Sequence, residues 1–197
     1  EGLTRIGSKG EVLPALAESW TVSDDGKVYT FKLRAGAKYH DGTAFDAEDV
    51  KFSLDRARAE NSTNAQKALF AAIDTVEVVD AGTVKVTLKN PQGSFLYNMG
   101  WGDAVIVAPE SAETNKEKPI GTGPFTLQEY TIGERAILKR RDGYWKPGAD
   151  GQPLPYLDEI IYVDLGEEAS PYIAAFEAGE TDKISTETIV YRLEIWN

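Results

Sequence analysis

Three times in this chain, two stretches of alternating apolar and polar residues flank a short turn that carries glycine. Residues 18–22 and 28–34 enclose Ser23-Asp24-Asp25-Gly26-Lys27, residues 75–80 and 83–89 enclose Ala81-Gly82, and residues 125–130 and 134–141 enclose Thr131-Ile132-Gly133. A period of two sends successive side chains to opposite faces of a strand, so two such runs around a glycine turn predict an antiparallel hairpin. In the first hairpin Tyr29, Phe31 and Leu33 share the face to be buried, opposite Thr30, Lys32 and Arg34. In the second, Val76, Val78, Val84, Val86 and Leu88 are available for burial.

Helical signals lie between the hairpins. Asp46 is placed to cap a helix, with Glu48 and Asp49 near its positive end. Val50, Leu54 and Ala57 form the inner stripe of that helix, and Lys51, Asp55, Arg56 and Arg58 face water. A second, shorter helix is predicted over 65–73 and a helical turn over 94–99. Ser170-Pro171 predicts a cap and first-turn proline for a helix over 172–178 that Gly179 stops. Strands are predicted near the start of 2–12, over the apolar run 104–108 ended by Pro109, over 158–165 and over 188–196. Residues 111–118 and the Gly/Pro-rich 147–155 read as loops, and no internal repeat is present. Hairpins with interspersed helices predict an α/β to α+β chain.

Composition narrows the function. With 21 Lys+Arg against 32 Asp+Glu, the formal charge is −11, which argues against nucleic acid and anionic membrane surfaces. The chain has no Cys, which excludes disulfides, Cys-ligated zinc, iron–sulfur clusters and thiol nucleophiles, and suits an exported protein. His40 is the single histidine, so multi-His metal sites are excluded and a Ser-His-Asp triad would have to use that residue. No apolar run approaches the roughly 20 residues of a membrane span. The sequence opens at Glu1 with neither Met nor a basic-then-apolar leader, and the expectation is that an export signal has been removed or lies outside it.

Most candidate chemical motifs have a plainer reading. Tyr39-His40-Asp41-Gly42 reads as a turn in which Asp41 bonds the backbone, rather than an acid–base pair. Asp24-Asp25-Gly26 lacks the spread oxygen ligands of a calcium loop. Gly121-Thr122-Gly123-Pro124-Phe125 opens a strand, unlike a dinucleotide loop, and its glycines read as close backbone approach or positive φ. Glu167-Glu168 reads as service to a helix dipole, and no carboxylate pair is singled out for a hydrolase. Trp20 and Trp145 read as core. Trp101, beside Gly102 and Asp103 at a loop-to-strand entrance, is the least structural tryptophan; Trp101, Gly102 and Asp103 are the candidate ligand-binding residues.

An ordered set of segments spans nearly the whole chain. It begins with Glu1-Gly2-Leu3, Leu13-Pro14-Ala15-Leu16-Ala17-Glu18-Ser19-Trp20, Tyr29-Thr30-Phe31-Lys32-Leu33-Arg34 and Tyr39-His40-Asp41-Gly42-Thr43. It continues through Ala47-Glu48-Asp49-Val50-Lys51-Phe52-Ser53, Ile120-Gly121-Thr122-Gly123-Pro124-Phe125, Gly143-Tyr144-Trp145, Tyr156-Leu157-Asp158 and Ala178-Gly179-Glu180-Thr181-Asp182. The set resembles the extracellular solute-binding proteins of dipeptide/oligopeptide/nickel ABC transporters, of the family 5 type.

The resemblance implies a periplasmic-binding-protein-like fold of class II (cluster C), here its first lobe: a mixed sheet with helices plus a hairpin-rich inserted subdomain. Residues 1–13 and 119–197 would belong to the ligand-facing lobe and 14–118 to the insertion. It implies a periplasmic or membrane-associated receptor that captures a peptide or similar small solute for an ABC permease, with no catalysis, metal or cofactor. Family members are more than twice as long, so the chain reads as a first-lobe fragment, late in its start and shortened between Asp182 and Thr188. One lobe offers half a site, and isolated binding is expected to be weak. Tyr191, Leu193 and Trp196 would lie on an uncovered edge strand, which predicts a homo-oligomer. The competing reading from a different class is a non-binding assembly module derived from that lobe.

Overall fold

The computed structural model describes residues 1–115, 117–166 and 168–181, with the backbone of 183–184 and 190–194. All three predicted hairpins form. The strands are β1 (Thr4–Ile6), β2 (Val12–Pro14), β3 (Ala17–Val22), β4 (Val28–Leu33), β5 (Ile73–Asp80), β6 (Thr83–Leu88), β7 (Phe125–Thr131), β8 (Arg135–Arg140), β9 (Glu159–Val163), β10 (Lys183–Ile184) and β11 (Val190–Glu194). The helices are α1 (Ala47–Arg58), α2 (Lys67–Phe70), α3 (Phe95–Asn98) and α4 (Ala169–Glu177). Every strand pairing among the described residues is antiparallel, which puts the chain at the α+β end of the expected class.

The chain forms two compact units, Glu1–Thr122 and Gly123–Asn197. Within the first, the start of the chain is held to the entry of β3: Leu16 N–H donates to Gly2 O at 3.2 Å and Ala17 N–H to Leu3 O at 2.9 Å.

In the first unit four strands run in the order β3-β4-β6-β5. Register places Phe31 opposite Val84 and Tyr29 opposite Val86, with Val76 next to Val86, so the apolar positions of three strands share one face. Phe31, Val84 and Val86 are fully buried. Helix α1 covers that face with Val50 and Leu54, also buried. Each large side chain withdrawn from water here contributes about 1.5–3 kcal/mol. α3 adds Phe95, whose ring centroid lies 4.7 Å from that of Tyr29. α1 starts where predicted, through a reciprocal cap: Glu48 N–H donates to Asp46 Oδ1 at 2.8 Å and Asp46 N–H to Asp49 Oδ2 at 3.0 Å.

In the second unit five strands run in the order β10-β11-β9-β8-β7. Ion pairs Arg135–Glu129 and Arg140–Asp158, both at 2.8 Å, lie along its β7–β8–β9 portion. α4 buries Tyr172, whose hydroxyl donates to Gly166 O at 2.7 Å and accepts from Leu165 N–H at 3.2 Å.

Several expectations are corrected. Residues 105–108 are extended but join no sheet, because short 3₁₀ turns at Gly102–Ala104 and Pro109–Ser111 bracket them and their backbone bonds go elsewhere. The helix expected over 65–73 is a single turn, since Ile73 is already committed to β5. α4 begins at Ala169 with Glu168 as its N-cap residue and no side-chain cap, so Ser170 lies inside the helix; Glu167 is outside the described residues. Gly179, with φ +71°, follows the helix as expected. Trp20 and Trp145 are half-buried rather than core. The C-terminal strand is not the sheet margin: β11 pairs with β9 on one side and with the two residues of β10 on the other. Trp196 lies outside the described residues.

Candidate functional site

Trp101 follows α3 at a turn built by successive backbone bonds. Gly100 N–H donates to Tyr97 O at 2.9 Å, Trp101 N–H to Asn98 O at 3.2 Å, and Ala104 N–H to Trp101 O at 3.0 Å. The indole is 46% exposed, edge-on to Tyr97 with centroids 6.4 Å apart. A large amphipathic ring left that open on a fixed turn is available for recognition. Gly102 and Asp103 lie on the 3₁₀ turn that follows, so the three candidate residues form one continuous surface segment.

Close backbone contacts fix that segment. A Cβ on Gly100 would meet Ile6 Cδ1 at 3.0 Å and the Arg5 carbonyl carbon at 3.2 Å, and one on Gly2 would meet Met99 O at 2.6 Å. Asn64 Nδ2 donates to Asp103 O at 2.9 Å, while its Oδ1 accepts from Gln66 N–H at 2.8 Å. Further along, Ser53 Oγ of α1 donates to Val107 O at 3.1 Å and accepts from Val107 N–H at 3.0 Å, replacing the pairing a strand would have supplied. The second half of α1, residues 59–64 and the 103–107 segment line a cavity of about 310 Å³. Sequence reasoning missed Ser53 and Asn64. Ser53 carried a signal, since it stands three residues after Val50 and beside Leu54 on the buried stripe of α1.

The other motifs fold as structural elements. Asp41 Oδ1 accepts from Thr43 N–H at 3.0 Å and Thr43 Oγ1 at 2.6 Å, which holds its carboxyl below the ordinary carboxylate range. Asp25 likewise accepts from Ser23 Oγ at 2.6 Å and Lys27 N–H at 3.1 Å, with Gly26 at φ +68°. His40 N–H donates to Gly121 O at 2.9 Å, and His40 Nδ1 accepts from Gly121 N–H at 3.2 Å. The expected reason for the Gly121 and Gly123 glycines does not hold. Neither has positive φ, and a Cβ would meet only His40 Cε1 at an ordinary 3.7 Å in the first case and nothing in the second.

Among the described residues of the first unit, Asp49 is the buried charged side chain. The Asp49 carboxyl is held above the ordinary carboxylate value by burial, opposed by the bond from Asp46 N–H. Beside it the Tyr39 hydroxyl is buried, and burial with the Asp49 charge pushes its ionisation upward. Among the described residues no three His, Cys, Asp or Glu side chains are grouped to hold a metal, and no helix is long and apolar enough to cross a membrane.

Comparisons with known proteins agree on one family. The sequence model of the bacterial extracellular solute-binding proteins, family 5 middle region, matches residues 11–192. The chain is 37% identical over 166 residues to a glutathione-binding protein of Pectobacterium atrosepticum, covering 82% of this chain and 31% of that protein. The Escherichia coli glutathione-binding protein is also 37% identical, over 91% of this chain and 35% of its own length. Among solved structures, the A. tumefaciens binding protein AgaA in complex with agropinic acid superposes with a TM-score of 0.83 at 34% identity, over 92% of this chain and 36% of that one. The Helicobacter pylori periplasmic binding protein DppA, in complex with the peptide STSA, gives 0.79 at 29% identity, over 91% and 39%. The chain thus spans about a third of the length of the curated relatives it matches.

Proposed function

The chain belongs to the bacterial extracellular solute-binding proteins of family 5, and from that membership we propose that it is part of the substrate-binding component of an ABC importer. In this reading the whole protein captures a peptide or similar small solute in the periplasm and presents it to a membrane permease, without catalysis, metal or cofactor. Residues 1–13 and 119–197 contribute to the ligand-facing lobe, 14–118 form the inserted subdomain, and Trp101, Gly102 and Asp103 touch the solute.

The observation that carries the site is the open Trp101 ring on a turn fixed from three directions: by β1 through Gly100, by Asn64 through Asp103, and by Ser53 through Val107. Rigid aromatic anchors on held loops are a recurrent means of binding small solutes. The chain alone supplies only part of an enclosing site, and its own affinity for peptide is correspondingly low.

Calorimetric titration of the full-length receptor tests the reading. Glutathione is the first solute to try, because it is named for the 37% identical relatives, followed by mixed di- to pentapeptides. Saturable binding that W101A weakens about tenfold or more, at unchanged melting temperature, is expected. Concentration-dependent melting with no ligand effect would support the assembly module instead.

A further inference from the structure

The polar side chains around the cavity beside Asp103 divide into two sets. One set is engaged in holding the fold. Ser53 is tied at both ends to Val107, Ser62 Oγ accepts from Asn64 N–H at 3.2 Å, and Asn64 bridges Gln66 and Asp103. The other set is not. Among the described residues Asn61 and Thr63 make no side-chain hydrogen bond, and the Asp103 carboxylate has no ion-pair or hydrogen-bond partner. Among the described residues Arg56 makes one long contact, from Nη2 to Ala112 O at 3.5 Å, and most of its N–H groups meet no acceptor there.

The residues that carry these groups line one concavity, together with the apolar Leu54 and Phe70. Leu54 and Phe70 are 2% and 1% exposed. A cation, an anion, an amide and a hydroxyl beside apolar side chains complement a small molecule that carries both charges. A guanidinium fork takes a carboxylate through paired N–H bonds, and a single carboxylate takes an ammonium. A volume of about 310 Å³ has room for an amino acid together with several waters at ~30 Å³ each.

We propose that this cavity binds an amino-acid-sized zwitterion, its carboxylate on Arg56, its ammonium on Asp103, and its remaining polar atoms on Asn61 and Thr63. The site lies wholly inside the first unit. It shares only Asp103 with the solute-contacting segment, so it depends on the solute-binding reading through that residue alone.

The test is an amide-resolved NMR titration of this chain with 4-aminobutanoate, with succinate and 1,4-diaminobutane as single-sign controls. The expected result is saturable shifts at Asn61, Thr63 and Asp103 for the zwitterion, weaker binding of both controls, and about tenfold loss of affinity in each of R56Q and D103N. D103N should also narrow the gap between the zwitterion and succinate. Absence of saturation, equal response to all three probes, or equal affinity in R56Q and wild type would overturn the proposal. The peptide titration of W101A in the full-length receptor keeps the two readings apart. Loss there, with the zwitterion titration unmoved by R56Q, removes the cavity site and leaves the receptor reading standing. The opposite pattern removes Trp101 from solute binding and leaves the cavity.

Discussion

His40 and Gly121 hold each other by two opposed hydrogen bonds across 81 positions of sequence, one from each backbone N–H. Because Nδ1 accepts, the ring proton of the neutral imidazole sits on Nε2. The pair ties the Tyr39–Thr43 turn to the segment just before the first unit ends at Thr122. H40A leaves Gly121 N–H without its acceptor and should cost about 1–3 kcal/mol in urea unfolding. A loss below about 0.5 kcal/mol would mean that water or a neighbour takes over the bond.

Gly2 and Gly102 should respond in opposite ways to a methyl group. G2A drives a Cβ to within 2.6 Å of Met99 O, and since the obstacle is backbone, β1 or the α3 turn must move. The expected loss is about 1–3 kcal/mol. G102A meets nothing within 4 Å and should change stability by less than about 0.5 kcal/mol. Paired thermal denaturation of the two variants checks the contrast.

Asp49 gives a pH dependence of fixed sign. Its folded pKa is raised by burial, so its contribution to stability is fully present below the unfolded carboxylate value of about 4 and is lost as pH rises through the folded value. D49N keeps an oxygen to accept from Asp46 N–H and cannot ionise. Its stability relative to wild type should therefore improve as pH rises from the unfolded carboxylate value through the raised folded one, and level off above it. Parallel urea midpoints across that range would refute the assignment.

Asn64 should act on the Trp101 turn in a graded way. N64A removes both the donor to Asp103 O and the acceptor for Gln66 N–H, whereas N64D keeps the acceptor. Hydrogen exchange at the Ala104 amide, which closes the turn onto Trp101 O, should accelerate in both variants. Exchange at the Gln66 amide should accelerate only in N64A. Equal acceleration at Gln66 in the two variants would show that Oδ1 does not cap it.

The parts of this fold legible in the sequence are those set by near neighbours. The alternation of Tyr29, Phe31 and Leu33 and the Asp46 cap each depend on a few adjacent residues, and each is found in place. The apolar run 104–108 misled because β-propensity says nothing of a partner; Ile106 N–H donates to Glu1 O at 2.9 Å and Val107 binds Ser53, so no ladder forms. Trp101 stands out in the sequence by its loop position and its neighbours Gly102 and Asp103. The cavity beside Asp103 is invisible in the sequence because Arg56 and Asn61 lie some 40 positions from Asp103, and only the fold determines which polar side chains stay uncommitted.

The order β3-β4-β6-β5 has a kinetic consequence. Two of its three pairings join strands consecutive in the chain, and these hairpins can zip from their own turns. The third, which sets Lys32 against Thr83, closes a long loop that contains the whole of α1. That closure costs the most chain entropy and returns nothing until the helix has settled onto the joined face. Truncating Val50 or Leu54 should therefore slow the refolding of the first unit as well as weaken it, while changes in either turn act chiefly on their own hairpin.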